Sequence, residues 1–283
     1  KSMFREYDLR GQVNDEQLNE DTIDIIARAY GTMLRQRGID TAVIGHDYRR
    51  TSPMVTRVAT EALRSTGIDV ISLGMVLTPM VYLAQYHFES KGGVMVTASH
   101  NPAGWSGFKF ALGYSQTLEP EGMKELYDLT VSEEFATGSG DLREESFLDA
   151  YTADVVERID IAREVRVVVN AGNGTPGPIA TKVLRAAGCE VVELHTELDW
   201  DFPHYYPNPA LVDMMEETGQ KTVESGAEIG FALDGDGDRL GTTNEKGENV
   251  WPDRYLILLS RQVLERNPGA KIIFDVKCSQ ALP

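Results

Sequence analysis

The chain is poor in cysteine: only Cys189 and Cys278 occur among its 283 residues. Two cysteines are too few for a disulfide-stapled scaffold, and they are compatible with a reducing compartment, so we expect a cytoplasmic protein. Long apolar runs are also missing, because no stretch approaches the roughly 20 residues that a membrane-spanning helix requires. We therefore expect no membrane partner.

Positive charge is scarce as well. The chain carries 27 Lys and Arg against 44 Asp and Glu, which gives a formal net charge of −17. A nucleic-acid surface normally needs a basic footprint, so this balance argues against a nucleic-acid partner. It does not argue against a small anionic ligand, because a local basic pocket can exist within an acidic protein.

Apolar strand-like runs alternate with helix-like segments along the whole chain, which predicts an α/β layer fold. The length is sufficient for two domains of ordinary size. In the first half we predict strands at 41–45, 70–73 and 93–96, and helices at 22–37 with Asp21 or Thr22 as cap, at 52–67 with Ser52 as cap, and from residue 78. In the second half we predict helices at 145–159, 176–187, 213–225 and 252–265, and strands at 165–169, 191–194, 229–233 and 271–274.

One motif, Thr-Ala-Ser-His-Asn-Pro at residues 97–102, follows the strand predicted at 93–96. A serine at the exit of a strand can present its hydroxyl from a rigid support, which suggests covalent chemistry at Ser99. His100 could orient a transferring group, and Lys109, at the end of what reads as a glycine-punctuated loop, could meet negative charge. Because Ser, Asn and Pro are also common in turns, this motif alone supports a turn equally well.

A second motif, Asp-Gly-Asp-Gly-Asp-Arg at residues 234–239, follows the strand predicted at 229–233. Three carboxylates at alternate positions can converge on one hard cation, and the glycines allow the tight turn. An ordinary acidic turn rarely has this strict alternation. An EF-hand loop would need glycine where Arg239 stands and a preceding helix rather than a strand. We therefore predict a magnesium site.

Taken together, the two motifs indicate phosphoryl transfer. A serine that carries phosphate needs a divalent cation and cationic side chains to offset charge on the transferring oxygens. Lys109 and Arg239 are candidates for those cationic side chains.

Four segments in this order resemble the α-D-phosphohexomutases: residues 4–11, 97–102, 234–239 and 274–279. Residues 251–254 and 266–270 are most similar to the bacterial phosphomannomutase/phosphoglucomutases. His46, Asn170 and Trp200 depart from the family's usual residues, outside the two central motifs. The resemblance implies consecutive three-layer α/β/α domains with mixed sheets, the N-terminal part of a four-domain protein. It implies boundaries at 1–146 for domain I, 147–250 for domain II and 251–283 for the beginning of domain III, truncated or disordered beyond.

The same resemblance implies an isomerase that moves phosphate between positions 1 and 6 of mannose or glucose phosphates. One Mg²⁺ per site and a hexose 1,6-bisphosphate activator are implied as cofactors, and a phosphosugar as the partner. A phosphoglucosamine mutase, a phosphoserine-dependent phosphatase and a non-catalytic relative remain alternatives. We expect the 283 residues to turn over slowly or not at all by themselves. The implied site residues are Ser99, His100, Lys109 and Arg10 for catalysis, with Lys109 as general acid or base of lowered pKa; Tyr7, Arg239 and Lys277 for substrate; and Ser99, Asp234, Asp236 and Asp238 for the metal.

Several of these residues have plainer interpretations. Tyr7 could be a core tyrosine, and His100 could be purely structural. Lys109 and Lys277 could be solvated surface lysines, and Arg239 a solvated loop arginine.

Overall fold

A six-stranded mixed sheet forms the first part of the protein. The computed structural model describes residues 2–283. The strands lie in the order β1-β5-β4-β2-β3-β6; β1, β5 and β4 pair antiparallel, and the other pairs are parallel. The elements are β1 (Leu9–Gln12), α1 (Glu20–Gln36), β2 (Thr41–His46), α2 (Ser52–Ser65), β3 (Asp69–Met75), α3 (Thr78–His87), β4 (Gly92–Val96), β5 (Trp105–Leu112), α4 (Pro120–Ser132) and β6 (Leu142–Glu144).

A five-stranded mixed sheet follows, with the strand order β11-β10-β9-β7-β8. Its central strands β7, β8 and β9 are parallel, and the hairpin partners β10 and β11 are antiparallel. The elements are α5 (Leu148–Arg158), β7 (Val165–Asn170), α6 (Pro176–Ala186), β8 (Cys189–Leu194), α7 (Val212–Ser225), β9 (Ile229–Leu233), β10 (Leu240–Asn244), β11 (Asn249–Val250) and α8 (Pro252–Arg266).

Successive residues of β2 divide the first core into two layers. Ala42 and Ile44 join the cluster formed with helices α1 and α2, whereas Val43 joins a second cluster with Met80 of α3 and Phe147. This is the two-residue alternation of a strand that is buried on both faces. The prediction of three-layer α/β/α units with mixed sheets is confirmed. Across residues 2–283, no helix combines the length and the apolar content needed to cross a membrane.

Two predicted helix caps are wrong by one to three residues. Helix α1 is capped by Asn19, whose Oδ1 accepts from Thr22 N at 2.9 Å, while Thr22 Oγ1 accepts from Asn19 N at 3.0 Å. This reciprocal pair satisfies two backbone donors at the start of the helix. Helix α2 begins at Ser52, so Thr51 holds the cap position without a side-chain capping bond, and the Ser52 hydroxyl donates to Asp47.

Two larger predictions are also wrong. Residues 105–109, predicted as a loop, belong to β5, so Lys109 lies on a strand and pairs with Met95 of β4. Gly107 permits this, because a Cβ there would lie 2.0 Å from the Leu9 carbonyl oxygen of β1. The strand predicted at 271–274 is irregular chain in which Ile273 is 92% exposed. A strand is stable only when a neighbouring strand satisfies its backbone groups. The sequence analysis also missed helix α4 and four strands, namely β1, β6, β10 and β11.

The Tyr30 hydroxyl links helix α1 to the middle of the first sheet. It donates to Ala111 O at 2.6 Å and accepts from Gly93 N at 3.0 Å, and the ring is fully buried. Tyr30→Phe leaves these backbone groups without their partner, so we expect the free energy of unfolding to fall by about 1–3 kcal/mol. Urea denaturation measures it.

The matched control is Tyr86→Phe, because Tyr86 is 55% exposed and its hydroxyl lies 3.4 Å from Tyr114 O. We expect that change to stay within about 0.5 kcal/mol. Equal losses in the two variants would contradict the assignment of a structural role to the buried hydroxyl.

Candidate active site

Ser99 lies in the loop between β4 and β5 and has an unusual backbone conformation. Its φ angle is +52°, and its residue surface is only 2% exposed. Serine in the left-handed region carries a backbone cost of roughly 1–2 kcal/mol, so the surroundings must hold this geometry. One local contact is the bond from Ser99 N to Thr97 Oγ1 at 2.8 Å. Ser99 is therefore not an ordinary solvent-exposed turn serine.

The acidic loop connects β9 to β10 and approaches the Ser99 loop at backbone level. A Cβ at Gly235 would lie 2.5 Å from the Ser99 carbonyl oxygen, so only glycine fits at this contact. Gly237 has φ +71°, a conformation that glycine adopts without strain. The glycines of this motif therefore serve both the close approach of the two loops and the turn.

Ser99 and the acidic loop meet through side chains as well. Ser99 Oγ donates to Asp234 Oδ2 at 2.6 Å, although the two residues are 135 positions apart. Arg239 Nη2 donates to Ser99 Oγ at 2.8 Å and to Asp234 Oδ2 at 2.7 Å. The structure thus brings together the two motifs that the sequence analysis combined into one phosphoryl-transfer hypothesis.

The carboxylates of the acidic loop fit a divalent cation. One oxygen each from Asp234, Asp236 and Asp238 lies within 4.8 Å of the others. Asp236 Oδ1 is buried and finds no hydrogen-bond partner among residues 2–283. A buried acceptor without a donor is costly, and hard cations are bound by such carboxylate oxygens. The orphaned oxygen and the convergence of the three side chains therefore support a metal site.

Lys109 currently provides the positive charge at these carboxylates. Its Nζ lies 2.7 Å from Asp236 Oδ2 and 2.5 Å from Asp238 Oδ2. Burial acts to lower the pKa of Lys109, but the two carboxylates raise it above its ordinary value. A general base needs the opposite direction. In this arrangement Lys109 is a fixed cation, and a divalent ion would have to compete with its ammonium for the same carboxylates.

The two buried carboxylates of the loop differ in their affinity for protons. Burial and the neighbouring Asp236 raise the pKa of Asp234, although Arg239 opposes the shift. Burial also acts to raise the pKa of Asp236, but Lys109 and Thr78 hold it well below its ordinary value. Asp236 is consequently the more firmly ionised of the pair.

His100 is neutral at physiological pH. Burial, followed by the charges of Arg239 and Arg10, lowers the pKa of His100 to about 4. Its Nδ1 lies 3.3 Å from Ser99 Oγ and also contacts Arg239 Nη2. Arg239 is thus bound between the serine and the acidic loop and is not a freely solvated arginine.

Three further predicted site residues differ in their distance from the Ser99 loop and in their exposure. Arg10 lies against the Ser99 loop, because its Nη1 donates to Ala98 O at 3.1 Å and to Asn101 Oδ1 at 2.6 Å. Tyr7 is 54% exposed, so it is not a core tyrosine. Lys277 is exposed in the irregular segment after α8. The substrate roles of Tyr7 and Lys277 stay predictions.

Three residues near the site were missed by the sequence analysis. Thr78, at the start of α3, donates from Oγ1 to Asp236 Oδ2 at 2.8 Å and from its backbone N to Asp236 O at 3.0 Å. Asp47 and Arg49 follow β2 and lie under the Ser99 loop. The sequence signal for Asp47 is an acidic residue directly after a strand.

A cavity of about 550 Å³ opens beside Arg239. Its lining also includes Asp238, Asn208, Trp251 and Tyr255. A mainly apolar and aromatic lining with a few polar groups, next to a cation, is typical of pockets that bind small molecules.

Comparisons with known proteins indicate the same family along the whole chain. Residues 1–137 match the family model of phosphoglucomutase/phosphomannomutase α/β/α domain I, and residues 145–247 match that of domain II. The phosphomannomutase/phosphoglucomutase of Pseudomonas putida is 38% identical over 281 residues, which cover 99% of this chain and 60% of the relative. The phosphoglucomutase of Neisseria gonorrhoeae is 37% identical over 284 residues, which cover 100% of this chain and 61% of the relative.

A solved structure is also similar. The phosphoglucomutase/phosphomannomutase family protein of Burkholderia thailandensis superimposes with a TM-score of 0.94 at 39% identity, over 99% of this chain and 63% of that one. The chain therefore spans about 60% of the length of the curated relatives that it matches.

The orphaned Asp236 oxygen leads to a test of cation binding. We expect Asp236→Asn to weaken divalent-cation binding by at least about tenfold, because it removes the negative charge of a buried carboxylate that has one unpartnered oxygen. Isothermal titration with MgCl₂ and MnCl₂ measures the affinity. The control is Asp213→Asn, since Asp213 is an exposed residue in the first turn of α7. Unchanged affinity in Asp236→Asn would refute the metal site.

The Lys109 contacts lead to a second prediction. Lys109→Met removes the charge that offsets Asp236 and Asp238, so in EDTA we expect the free energy of unfolding to fall by about 3 kcal/mol. Because the ammonium no longer competes, Mg²⁺ should then stabilise the variant more than it stabilises the wild type. Thermal unfolding in EDTA and in MgCl₂ measures both effects.

The control for that experiment is Lys124→Met, whose ammonium is exposed and pairs with Asp128. It should respond to Mg²⁺ as the wild type does. A Lys109→Met variant that gains no more stability from Mg²⁺ than the wild type would show that Lys109 and the cation do not compete.

Proposed function

Because the chain belongs to the phosphoglucomutase/phosphomannomutase family, we propose that its protein is an isomerase that transfers phosphate reversibly within a hexose phosphate. The observation that carries the proposal is the contact of Ser99 Oγ with both Asp234 and Arg239. That contact combines a hydroxyl, a candidate metal ligand and a fixed cation at one point, which is the inventory of phosphoryl transfer. Mannose and glucose 1- and 6-phosphates are the proposed substrates, and glucosamine phosphate is the alternative.

Ser99 is the proposed carrier of the phosphoryl group. The P–O bond to Ser99 breaks as the free hydroxyl of the bound sugar phosphate forms its own P–O bond and gives up its proton. The resulting hexose 1,6-bisphosphate turns around, and its other phosphate returns to Ser99 as the new product is released. The same bisphosphate is the proposed activator, because it phosphorylates a free Ser99.

Asp234, Asp236 and Asp238, with an oxygen on Ser99, are the proposed ligands of one Mg²⁺. When bound, this ion would offset negative charge on the phosphoryl oxygens. Arg239 and Arg10 supply fixed positive charge in contact with the Ser99 loop. Such preorganised charge stabilises a transferring phosphoryl group without reorganisation.

Two side chains are candidates for moving the proton of the sugar hydroxyl. Lys109 can accept it only after its ammonium leaves Asp236 and Asp238, because these carboxylates raise its pKa. His100 is already neutral and has Nδ1 3.3 Å from Ser99 Oγ. We keep Lys109 as the proposed general acid or base and assign His100 to orientation of the group on Ser99.

Substrate binding fits an acidic protein because the positive charge is local. Arg239 contacts the Ser99 hydroxyl, Arg10 contacts the Ser99 loop and Lys109 contacts the acidic loop. The chain as a whole nevertheless carries a net charge of −17. The cavity beside Arg239 is large enough for a phosphosugar. Tyr7 and Lys277 are proposed as further substrate contacts on the strength of the family resemblance.

We propose domain boundaries at 1–146, 147–250 and 251–283. The two family models end and begin near the first boundary, and the second sheet ends with β11 at Val250. Helix α8 exposes Leu258 to 69% and Leu259 to 50%. Such an apolar face supports the assignment of residues 251–283 to a further domain rather than to the second one.

Replacement of the serine tests the proposed function. We expect Ser99→Ala in the full-length protein to lower mutase turnover of glucose 1-phosphate by at least about 1,000-fold, because the phosphoryl carrier is gone. Coupled detection of glucose 6-phosphate measures turnover, and intact-mass analysis of the wild type measures phosphate on Ser99. Ser132→Ala, at an exposed helix position, is the control.

Two results would overturn the proposal. Normal turnover in Ser99→Ala would remove the serine from the reaction. Release of inorganic phosphate by the wild type, without formation of glucose 6-phosphate, would indicate a phosphatase.

A further inference from the structure

Arg49 is a buried cation that lies under the Ser99 loop, and its side chain is only 4% exposed. Its guanidinium donates to backbone carbonyls of the loop and not to the Ser99 hydroxyl. Nη2 donates to Ser99 O at 2.7 Å and to Asn101 O at 2.9 Å. Nη1 donates to Pro102 O at 2.9 Å, with Trp105 O at 3.4 Å. One side chain therefore connects the loop from its serine to the start of β5.

Asp47 fixes the position of Arg49 from the end of β2. Its Oδ2 accepts from Arg49 Nε at 2.9 Å and from Thr97 Oγ1 at 2.8 Å. Its Oδ1 accepts from Ser52 Oγ at 2.7 Å. A buried ion pair is tolerated when further hydrogen bonds satisfy both partners, and that condition is met here.

The loop needs this support because Ser99 is held at φ +52°. Outliers of this kind persist only where the surroundings determine them. Thr97 and Gly104 bond to neighbouring backbone at the two ends of the loop, and between them Arg49 binds the carbonyl oxygens of Ser99 and Asn101. Without the Arg49 bonds the serine could relax toward an ordinary conformation, and its Oγ would leave Asp234 and Arg239.

Phe202, from the part of the chain that contains the second sheet, also contacts Arg49. This buried residue lies between β8 and α7, and its ring centroid is 5.4 Å from the Arg49 guanidinium carbon. A guanidinium over an aromatic face is attracted to it. The geometry of the Ser99 loop thus depends on both parts of the protein.

We propose that Arg49 is a positioning residue that holds the Ser99 backbone so that Oγ faces Asp234 and Arg239. The assignment rests on the proposed function of Ser99 as phosphoryl carrier. Because Arg49 is buried and its polar side-chain contacts are with the loop backbone and Asp47, its loss should affect the transfer step and not the binding of the sugar phosphate. If the Arg49–Asp47 pair only stabilised the fold, its loss would change neither the transfer step nor substrate binding in the folded protein.

The test compares Arg49→Met and Arg49→Lys with the wild type in the full-length protein. For Arg49→Met we expect kcat with glucose 1-phosphate to fall by about 100-fold, since a displacement near 1 Å has that effect, with KM unchanged within about twofold. Amide hydrogen exchange should become faster in peptides that cover residues 97–105 and stay unchanged elsewhere. Arg49→Lys keeps the charge but not the planar fork, so it should restore only part of both properties.

Arg50→Met is the matched control, because Arg50 pairs with Asp201 and lies over Trp200 at the surface without touching the loop carbonyls. It should keep kcat and loop exchange within about twofold of the wild type. If Arg49→Met fails to fold, Arg49→Lys tests the proposal by the same two measurements, kcat and amide exchange of the loop.

Amide exchange of the loop at the wild-type rate in a folded Arg49 variant would overturn the proposal. Faster loop exchange with an unchanged kcat would overturn it as well, and so would an increase in KM without a change in kcat. Failure of the proposed function looks different. The wild type would then lack mutase activity, while the exchange comparison would still show whether Arg49 holds the loop.

Discussion

The hydrogen bond between Ser99 and Asp234 is the contact on which the site depends. It joins the carboxyl ends of β4 and β9, strands from two different sheets, and it requires backbone contact at Gly235. A side chain at that glycine would separate the loops and, with them, the hydroxyl from the acidic cluster. The short distance between Ser99 Oγ and Asp234 Oδ2 therefore depends on the placement of both sheets and on the strained backbone of Ser99.

Charge balance explains the arrangement around that contact. Three carboxylates converge in a chain that is already strongly acidic, and such a cluster is unstable without positive charge. Lys109 and Arg239 supply it from β5 and from the loop itself. The proposed Mg²⁺ would bind the same carboxylates, so replacement of the ammonium by this ion would not leave them buried and uncompensated.

Strands with continuous apolar runs were well predicted, because burial on both faces leaves a clear signal. Strand 229–233 matches β9 to the residue. Strand β5 was missed because glycine suggests a loop. In the structure, the absence of a side chain at Gly107 allows the backbone of β1 to approach β5. The strand predicted at 271–274 has suitable residues but no neighbour. Strand formation depends on pairing, which local sequence does not encode.

The sequence by itself determined the chemistry: a serine and three alternating aspartates, each group after an apolar strand, and cations close to both. These features are local, so they could be read from residue types and spacing. Only the tertiary structure decided how they act. It set Arg49 and Asp47 under the Ser99 loop and Thr78 beside Asp236, and it raised the pKa of Lys109 through two carboxylates. These effects come from contacts between residues far apart in the chain, and burial gives them their strength.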